Sequence, residues 1–543
     1  MRRPYRSVKA RIKRRAVPSA QHLPADLRRR FRPVAERFGL GVAPVPRIRL
    51  PRSARPELVT ELDVWKAIDE LTSVLRDVLT EAGVELVCLS RQGHSILVVS
   101  DVNRADALAA LTASPRTSGL WVGSPTTTAR TFGDRRSLHL REDALTVFRY
   151  LAAPGGIPVA GAEAGVVLEF WETLTRPERR VDGGRFEVGT RRARVPNPVA
   201  PYLVPQLWDR AQSDPERVPR RETPPHLLDL QEPVDVVYTW VDDTDPEWRK
   251  RRASVPPPES ALATDALDPA RTTNRDELRY SLRSLAMYAN WVRHIWLVTD
   301  GQVPSWLNRD EPRLTVVSHP EIFADPSALP TFNSHAIESQ LHHIPGLAEH
   351  YLYLNDDVFF GRPVRPELFF HGNGVAKFAV SSLALDREDD ESFNGAILAA
   401  RRNRQFLESR LGRTVTHRMQ HIPHAHIRST LTELEESDPE LIARVARSQF
   451  RSAADISLAS DLGHYYAYSQ RRAVTATFAF RYVDIGLPTA AEHLASLLSN
   501  RDRDCFCIND VGGYDSPVDE RQLRQFLDRY FPLPSPFELS ENR

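Results

Sequence analysis

Three apolar runs in the second half of the chain each stop at acid. Tyr351–Leu354 ends in Asn355-Asp356-Asp357, Val234–Val241 ends in Asp242-Asp243 with Asp245 close behind, and His294–Thr299 ends in Asp300 before Gly301. Short runs rich in aromatic and β-branched residues read as strands. Adjacent carboxylates at a strand end are costly unless they face water or a cation, and in open α/β sheets that edge is where ligands bind. Cys505-Phe-Cys-Ile before Asn509-Asp510 repeats the ending. Oxygen-rich ends delivered to one edge suit a hard cation such as Mg²⁺, held by one or two carboxylates together with substrate phosphates.

Cationic and basic groups lie between these runs. Arg279 and Arg283 stand four apart, so one helix face could present two guanidinium groups to a diphosphate. The same spacing also describes a solvated face shared with Glu277. Phe332-Asn333-Ser334-His335 opens a helix with Ile337, Leu341 and Ile344 apolar. Asn or Ser there is a cap, and the free N–H groups of such a start also make an anion site with His335 beside it. His417, His421, His424 and His426 fall within ten residues. Pro423 breaks the helix that would align His421 with His424, and no cysteine is near, so a histidine acting as proton acceptor suits the pattern better than zinc. Phe450-Arg451-Ser452 and Asp455 precede a helical stretch with Tyr465, Tyr466 and Tyr468.

These groups need elements to hold them. Asn274 followed by Glu277 resembles a capping box, and Leu278, Leu282, Leu285 and Ala289 mark the buried stripe of the helix after it. At 543 residues the chain is too long for one ordinary core. Residues 1–60 are an Arg- and Pro-rich basic arm, expected to be mobile. It could touch an anionic membrane surface, and it lacks the interleaved aromatics of a nucleic-acid-binding strip. Residues 61–175 read as a small α/β or α+β module: a helix over Val64–Leu79, hairpin strands Val84–Leu89 and Ser95–Val99, and a short helix at Ala105–Leu111. The module carries no chemical constellation. Residues 176–232, rich in Arg, Pro and Glu, read as linker, and 233–543 as the chemical domain. The most apolar stretch, Leu151–Trp171, is broken by two prolines and two glutamates, so no membrane span is expected. Cys88, Cys505 and Cys507 are too few for a disulfide framework, which suits the cytoplasm.

The longer motifs resemble the Stealth family. Asp235-Val-Val-Tyr-Thr-Trp-Val-Asp242 with Asp245-Pro-Glu-Trp248 is similar to its first signature region. Arg275–Ser284, Trp291–Gln302, Leu329–Glu338 and Tyr353–Asp357 are similar to its second, His421–His424 through Phe450-Arg451 to its third, and Cys507–Asp510 to its fourth. The resemblance spans about 233–512 in order and leaves residues 1–232 outside.

It implies a nucleotide-sugar transferase-like α/β core with a mainly parallel sheet. It also implies a capsule or exopolysaccharide phosphotransferase, which moves a hexose-1-phosphate from a nucleotide-sugar to a sugar hydroxyl and releases a nucleoside monophosphate. On that reading Asp356, Asp357 and Asp510 hold Mg²⁺ (or Mn²⁺), and Arg279, Arg283 and Arg451 bind phosphate. Asn333, Ser334, Asp242 and Asp300 position donor or acceptor. His421 is the base, with His335 second. The donor would be a UDP-hexose or UDP-N-acetylhexosamine and the acceptor a glycan, with no nucleic acid involved. A metal-dependent glycosyltransferase releasing a nucleoside diphosphate, or a non-catalytic polysaccharide-assembly module, would use many of the same residue types.

Overall fold

The structure, a computed structural model, describes residues 48–539 apart from 92–93, 181–182, 198, 214–226, 258–262, 264, 270–271, 386–394 and 511–517. Its second half is built on a five-stranded sheet. The strands run in the order Leu314–Ser318, Ile295–Thr299, Val234–Thr239, His350–Asn355, His424–Ile427. The first four are mutually parallel, and His424–Ile427 closes one edge antiparallel. Parallel strands are covered on both faces and so read as nearly unbroken apolar runs, which is why three of them could be read from sequence.

The register sets the strand ends side by side: Thr239 lies opposite both Asn355 and Val298. One face is covered by the helix Glu277–Tyr288 through Leu278, Leu282 and Leu285, and the other by the helices Arg428–Ser437 and Pro439–Ala446 against Tyr351 and Tyr353. Asp235, fully buried near the start of the central strand, is matched by two hydrogen bonds from Arg293 (2.7 and 2.5 Å). The Trp296 indole and the Ala348 N–H donate to it as well, both at 2.9 Å. A buried carboxylate is tolerated because it is paired and hydrogen-bonded.

A smaller sheet, Val358–Phe360, Cys505–Asn509 and Phe480–Asp484, leans on this one. The Ile508 N–H donates to the Asp357 carbonyl at 3.0 Å. This bond brings the last acidic ending, Asn509-Asp510, beside the first.

The N-terminal module is an eight-stranded mixed sheet with helices Val64–Glu81 and Arg104–Ala113. The expected hairpin is Leu86–Arg91 against His94–Ser100, with its turn residues Gln92 and Gly93 outside the described set. Composition misleads at both borders of the module. Within the stretch read as linker, Arg191–Arg192 pairs with Glu172 and Thr173 of the long strand Val166–Thr173, and the helix Pro205–Ser213 sets Trp208 into the core. The arginines look solvated in sequence, but Arg192 sits between Glu172 and Glu178 at 2.7 and 2.8 Å. The arm also ends earlier than expected, since Glu57–Leu58 pairs with Leu151–Ala152. Residues 1–47 lie outside the described residues. Module and catalytic half share one apolar core, and at their border the Trp65 indole donates to the Tyr288 carbonyl at 3.2 Å.

Candidate active site at the sheet edge

Asp356 and Asp357 follow the strand His350–Asn355 directly, at the C-terminal edge of the sheet. Glu277 stands beside them as the first residue of its helix. The expected capping box is not formed: Asp276 is the cap, in the left-handed region at φ 64°, and Glu277 turns inward, where it accepts the Arg275 N–H at 2.7 Å. Arg275 also reaches Asp510 at 2.6 Å, tying the fourth acid to the others. Burial pushes the Glu277 carboxyl up to about 7, and Asp357 adds to the rise. Burial also drives Asp356 well above the usual carboxylate range, with Glu277 and Asp357 contributing. Four acids against one guanidinium is an excess of negative charge that a divalent cation would neutralise. Asp357 Oδ1 is buried with no hydrogen-bond donor among the described residues. The donors are oxygens, so the cluster fits Mg²⁺ or Mn²⁺.

His421 joins this cluster from the loop before the edge strand. Its Nε2 lies 3.5 Å from Asp357 Oδ1 and 3.4 Å from the Asn355 amide nitrogen. Burial lowers an imidazole's pKa, but the pull of Asp357 and Glu338 outweighs it and His421 ends above its ordinary value. Asp357, His421 and Cys507 are close enough to share an ion. However, burial and Asp357 hold the Cys507 thiol far above its usual pKa, and it donates to Asp357 Oδ2 at 3.2 Å.

Arg451 approaches through Ser334, donating to its hydroxyl at 2.7 Å, with Asp265 at 3.3 Å on its other side. Its Nε is buried without an acceptor among the described residues. Burial lowers the Arg451 pKa, yet a guanidinium remains charged in proteins, so an anion beside it would be strongly favoured. Asn333 is a scaffold for this arrangement. It caps the short helix Ser334–Glu338 through the His335 N–H, and its amide donates to Asp455 at 2.8 Å and to the Ser448 carbonyl at 2.9 Å. His335 turns toward Asp455, 3.6 Å away, and burial followed by the Arg451 charge lowers its pKa.

Four expected residues are engaged elsewhere. Arg279 and Arg283 meet Glu538 at 2.6 and 2.7 Å instead of an open diphosphate pocket, because the C-terminal segment folds back over that helix face. Asp300 pairs with Arg251 at 2.9 Å, and Asp242 caps its own turn at Thr244. Sequence reasoning missed Glu277, Arg275 and Cys507. An acid at a helix start looks like a cap, and the only available signal was that Glu277 lies one residue before the apolar stripe.

Comparison with known proteins fits this geometry. Residues 232–255, 271–378, 420–468 and 495–543 match conserved regions 1, 2, 3 and 4 of the Stealth proteins. The chain is 44% identical over 397 residues to the exopolysaccharide phosphotransferase SCO6023 of Streptomyces coelicolor, covering 72% of this chain and 67% of that one. It is 36% identical over 479 residues to the exopolysaccharide phosphotransferase CpsY of Mycobacterium tuberculosis, covering 86% and 87%. The chain belongs to the Stealth family. The second alignment is longer than residues 233–543, so the likeness reaches into the N-terminal half, contrary to the expectation that it stops at 232. Among solved structures, the galactosyltransferase LgtC in complex with donor and acceptor sugar analogs covers 55% of this chain and 96% of its own at 11% identity and a TM-score of 0.29. The WbbM bifunctional glycosyltransferase reaches 0.32. Scores this low leave the fold to be read from the sheet order itself.

Proposed function

We propose that the protein is an exopolysaccharide phosphotransferase that moves a hexose-1-phosphate from a nucleotide-sugar, a UDP-hexose or UDP-N-acetylhexosamine, to a glycan hydroxyl. The observation that carries this reading is the placement of His421 against the acid cluster, with its Nε2 3.5 Å from Asp357, in a chain whose relatives are named exopolysaccharide phosphotransferases.

Asp356, Asp357, Glu277 and Asp510 would hold the ion. A divalent cation supplies charge neutralisation for the donor diphosphate and the departing nucleotide. The acceptor oxygen bonds to the β-phosphorus, and the bond from that phosphorus to the bridging oxygen breaks. The bridging oxygen leaves with the nucleoside monophosphate, and the acceptor proton passes to His421 Nε2. Phosphoryl chemistry asks for positioning and electrostatics, and Arg451, whose buried Nε–H has no acceptor among the described residues, supplies a cation for a phosphoryl oxygen. Ser334 fixes the Arg451 guanidinium, and Asn333 with Asp455 holds the segment that carries it.

Nucleotide-sugar chemistry places the enzyme in the cytoplasm, and contact of the basic first sixty residues with the inner membrane surface belongs to the same proposal. Among the described residues no helix is long and apolar enough to cross a membrane. Incubation with Mg²⁺, a UDP-sugar and an oligosaccharide acceptor should release UMP, and EDTA should stop it. Release of UDP, or turnover undiminished by EDTA, would overturn the reading.

A further inference from the structure

A second cluster shares no residue with the site above. The turn Leu341–His343 precedes the strand His350–Asn355, whereas Asp356 and Asp357 follow it. His342 Nε2 and His343 Nε2 each lie 2.7 Å from the same oxygen, Glu435 Oε2, on the helix Arg428–Ser437. The three ligand-capable atoms all fall within 4.8 Å of one another.

The other ring nitrogens define the problem. His343 Nδ1 is 3.0 Å from the Ile322 carbonyl, which can only accept, so that nitrogen carries hydrogen. Nε2 of each ring then faces the same carboxylate oxygen across 2.7 Å and holds a proton there, and a divalent ion can displace the protons held between them. A ring N–H held by a backbone carbonyl is also the usual partner arrangement behind a metal-bound histidine.

We propose that His342, His343 and Glu435 form a metal site for a zinc-class divalent ion. Two imidazoles and one carboxylate suit zinc, whereas Mg²⁺ prefers the all-oxygen cluster at the sheet edge. Zinc–nitrogen bonds of about 2.0–2.1 Å place tetrahedral ligand atoms roughly 3–3.5 Å apart, a small adjustment from the observed spacing. His342 is closed off at 0% side-chain exposure, while His343 and Glu435 at 26% leave a path for the ion. Their backbones belong to two segments, with Ile322 of the helix His319–Ile322 behind them, so the bound ion clamps the turn onto the helix Arg428–Ser437.

The test uses the full chain, stripped with chelator and then kept in excess Mg²⁺ so that the oxygen-rich cluster is filled. Zinc is titrated while bound metal per chain and thermal midpoint are read. The expected result is one zinc per chain and a raised midpoint, unchanged in Cys507→Ser. Affinity should fall more than about 100-fold in both Glu435→Gln and His343→Gln, each variant being read against its own metal-free midpoint. Should one of these variants fail to fold, the other decides. Cobalt substituted for zinc should show no thiolate-to-metal charge-transfer band. No zinc binding by the parent chain overturns the site. So does zinc kept by His343→Gln and lost by Cys507→Ser, which would assign the ion to Asp357, His421 and Cys507.

Discussion

In the proposed reaction His421 takes a proton near neutrality from a half-buried position, and those demands oppose each other. Burial favours the neutral ring, and the carboxylate of Asp357 restores its basicity. A positioned base typically contributes about 10²–10⁴-fold, so His421→Ala should lower turnover by that factor. Donor affinity and the thermal midpoint should hardly change. Loss of donor binding in step with turnover, read by calorimetry with the unreacted donor, would make His421 a binding residue instead. At this scale the sequence shows Asp356, Asp357 and Asp510 as acid at the ends of apolar runs and His421 two residues before Pro423, and the structure brings His421 to Asp357. Glu277 could not be picked out in sequence, since its burial depends on Arg275 and on a strand that lies some eighty residues further along the chain.

The helix Glu277–Tyr288 shows where sequence patterns run out at the level of elements. Its buried stripe follows from the spacing of Leu278, Leu282 and Leu285, but the partner of its arginine face comes from the other end of the chain. Nothing near Arg279 or Arg283 in sequence announces Glu538. The same holds for the edge strand His424–Ile427. In sequence its histidines suit a proton acceptor better than zinc, and in the structure His424 Nδ1 meets His464 Nε2 at 2.9 Å and His426 Nε2 donates to the Ala459 carbonyl at 2.6 Å. The strands Val234–Thr239, Ile295–Thr299 and His350–Asn355 were legible because they are buried on both faces. Glu538→Ala would leave two guanidinium groups facing an empty, mostly dry position. Removing one partner of a buried pair costs about 3–5 kcal/mol, and the low end applies because the Arg279 side chain stays 25% exposed. Denaturant unfolding should therefore show a loss of about 3 kcal/mol, with folded protein keeping its turnover at low temperature. If stability is unaltered and donor binding is lost, Arg279 and Arg283 belong to the phosphate site after all.

Across the whole molecule, the N-terminal module is continuous with the catalytic half, sharing its apolar core. Composition hid this by placing arginines on both borders of the module. Removing residues 1–47 should leave turnover on soluble substrates intact. Removing 1–60 also takes away the Glu57–Leu58 strand and the packing of Ile48 and Leu50 against Trp121 and Phe148. The longer deletion should lower the thermal midpoint by about 1 °C for each kcal/mol lost. Equal midpoints for the two truncations would show that the short strand contributes nothing. The central claim is which bond breaks, and the fate of the donor's β-phosphate tests it most directly. With a UDP-sugar carrying a radioactive β-phosphate, the phosphotransferase reading predicts that the label moves into the glycan product while unlabelled UMP is released. Label remaining in UDP, with an unlabelled glycosidic product, would contradict it.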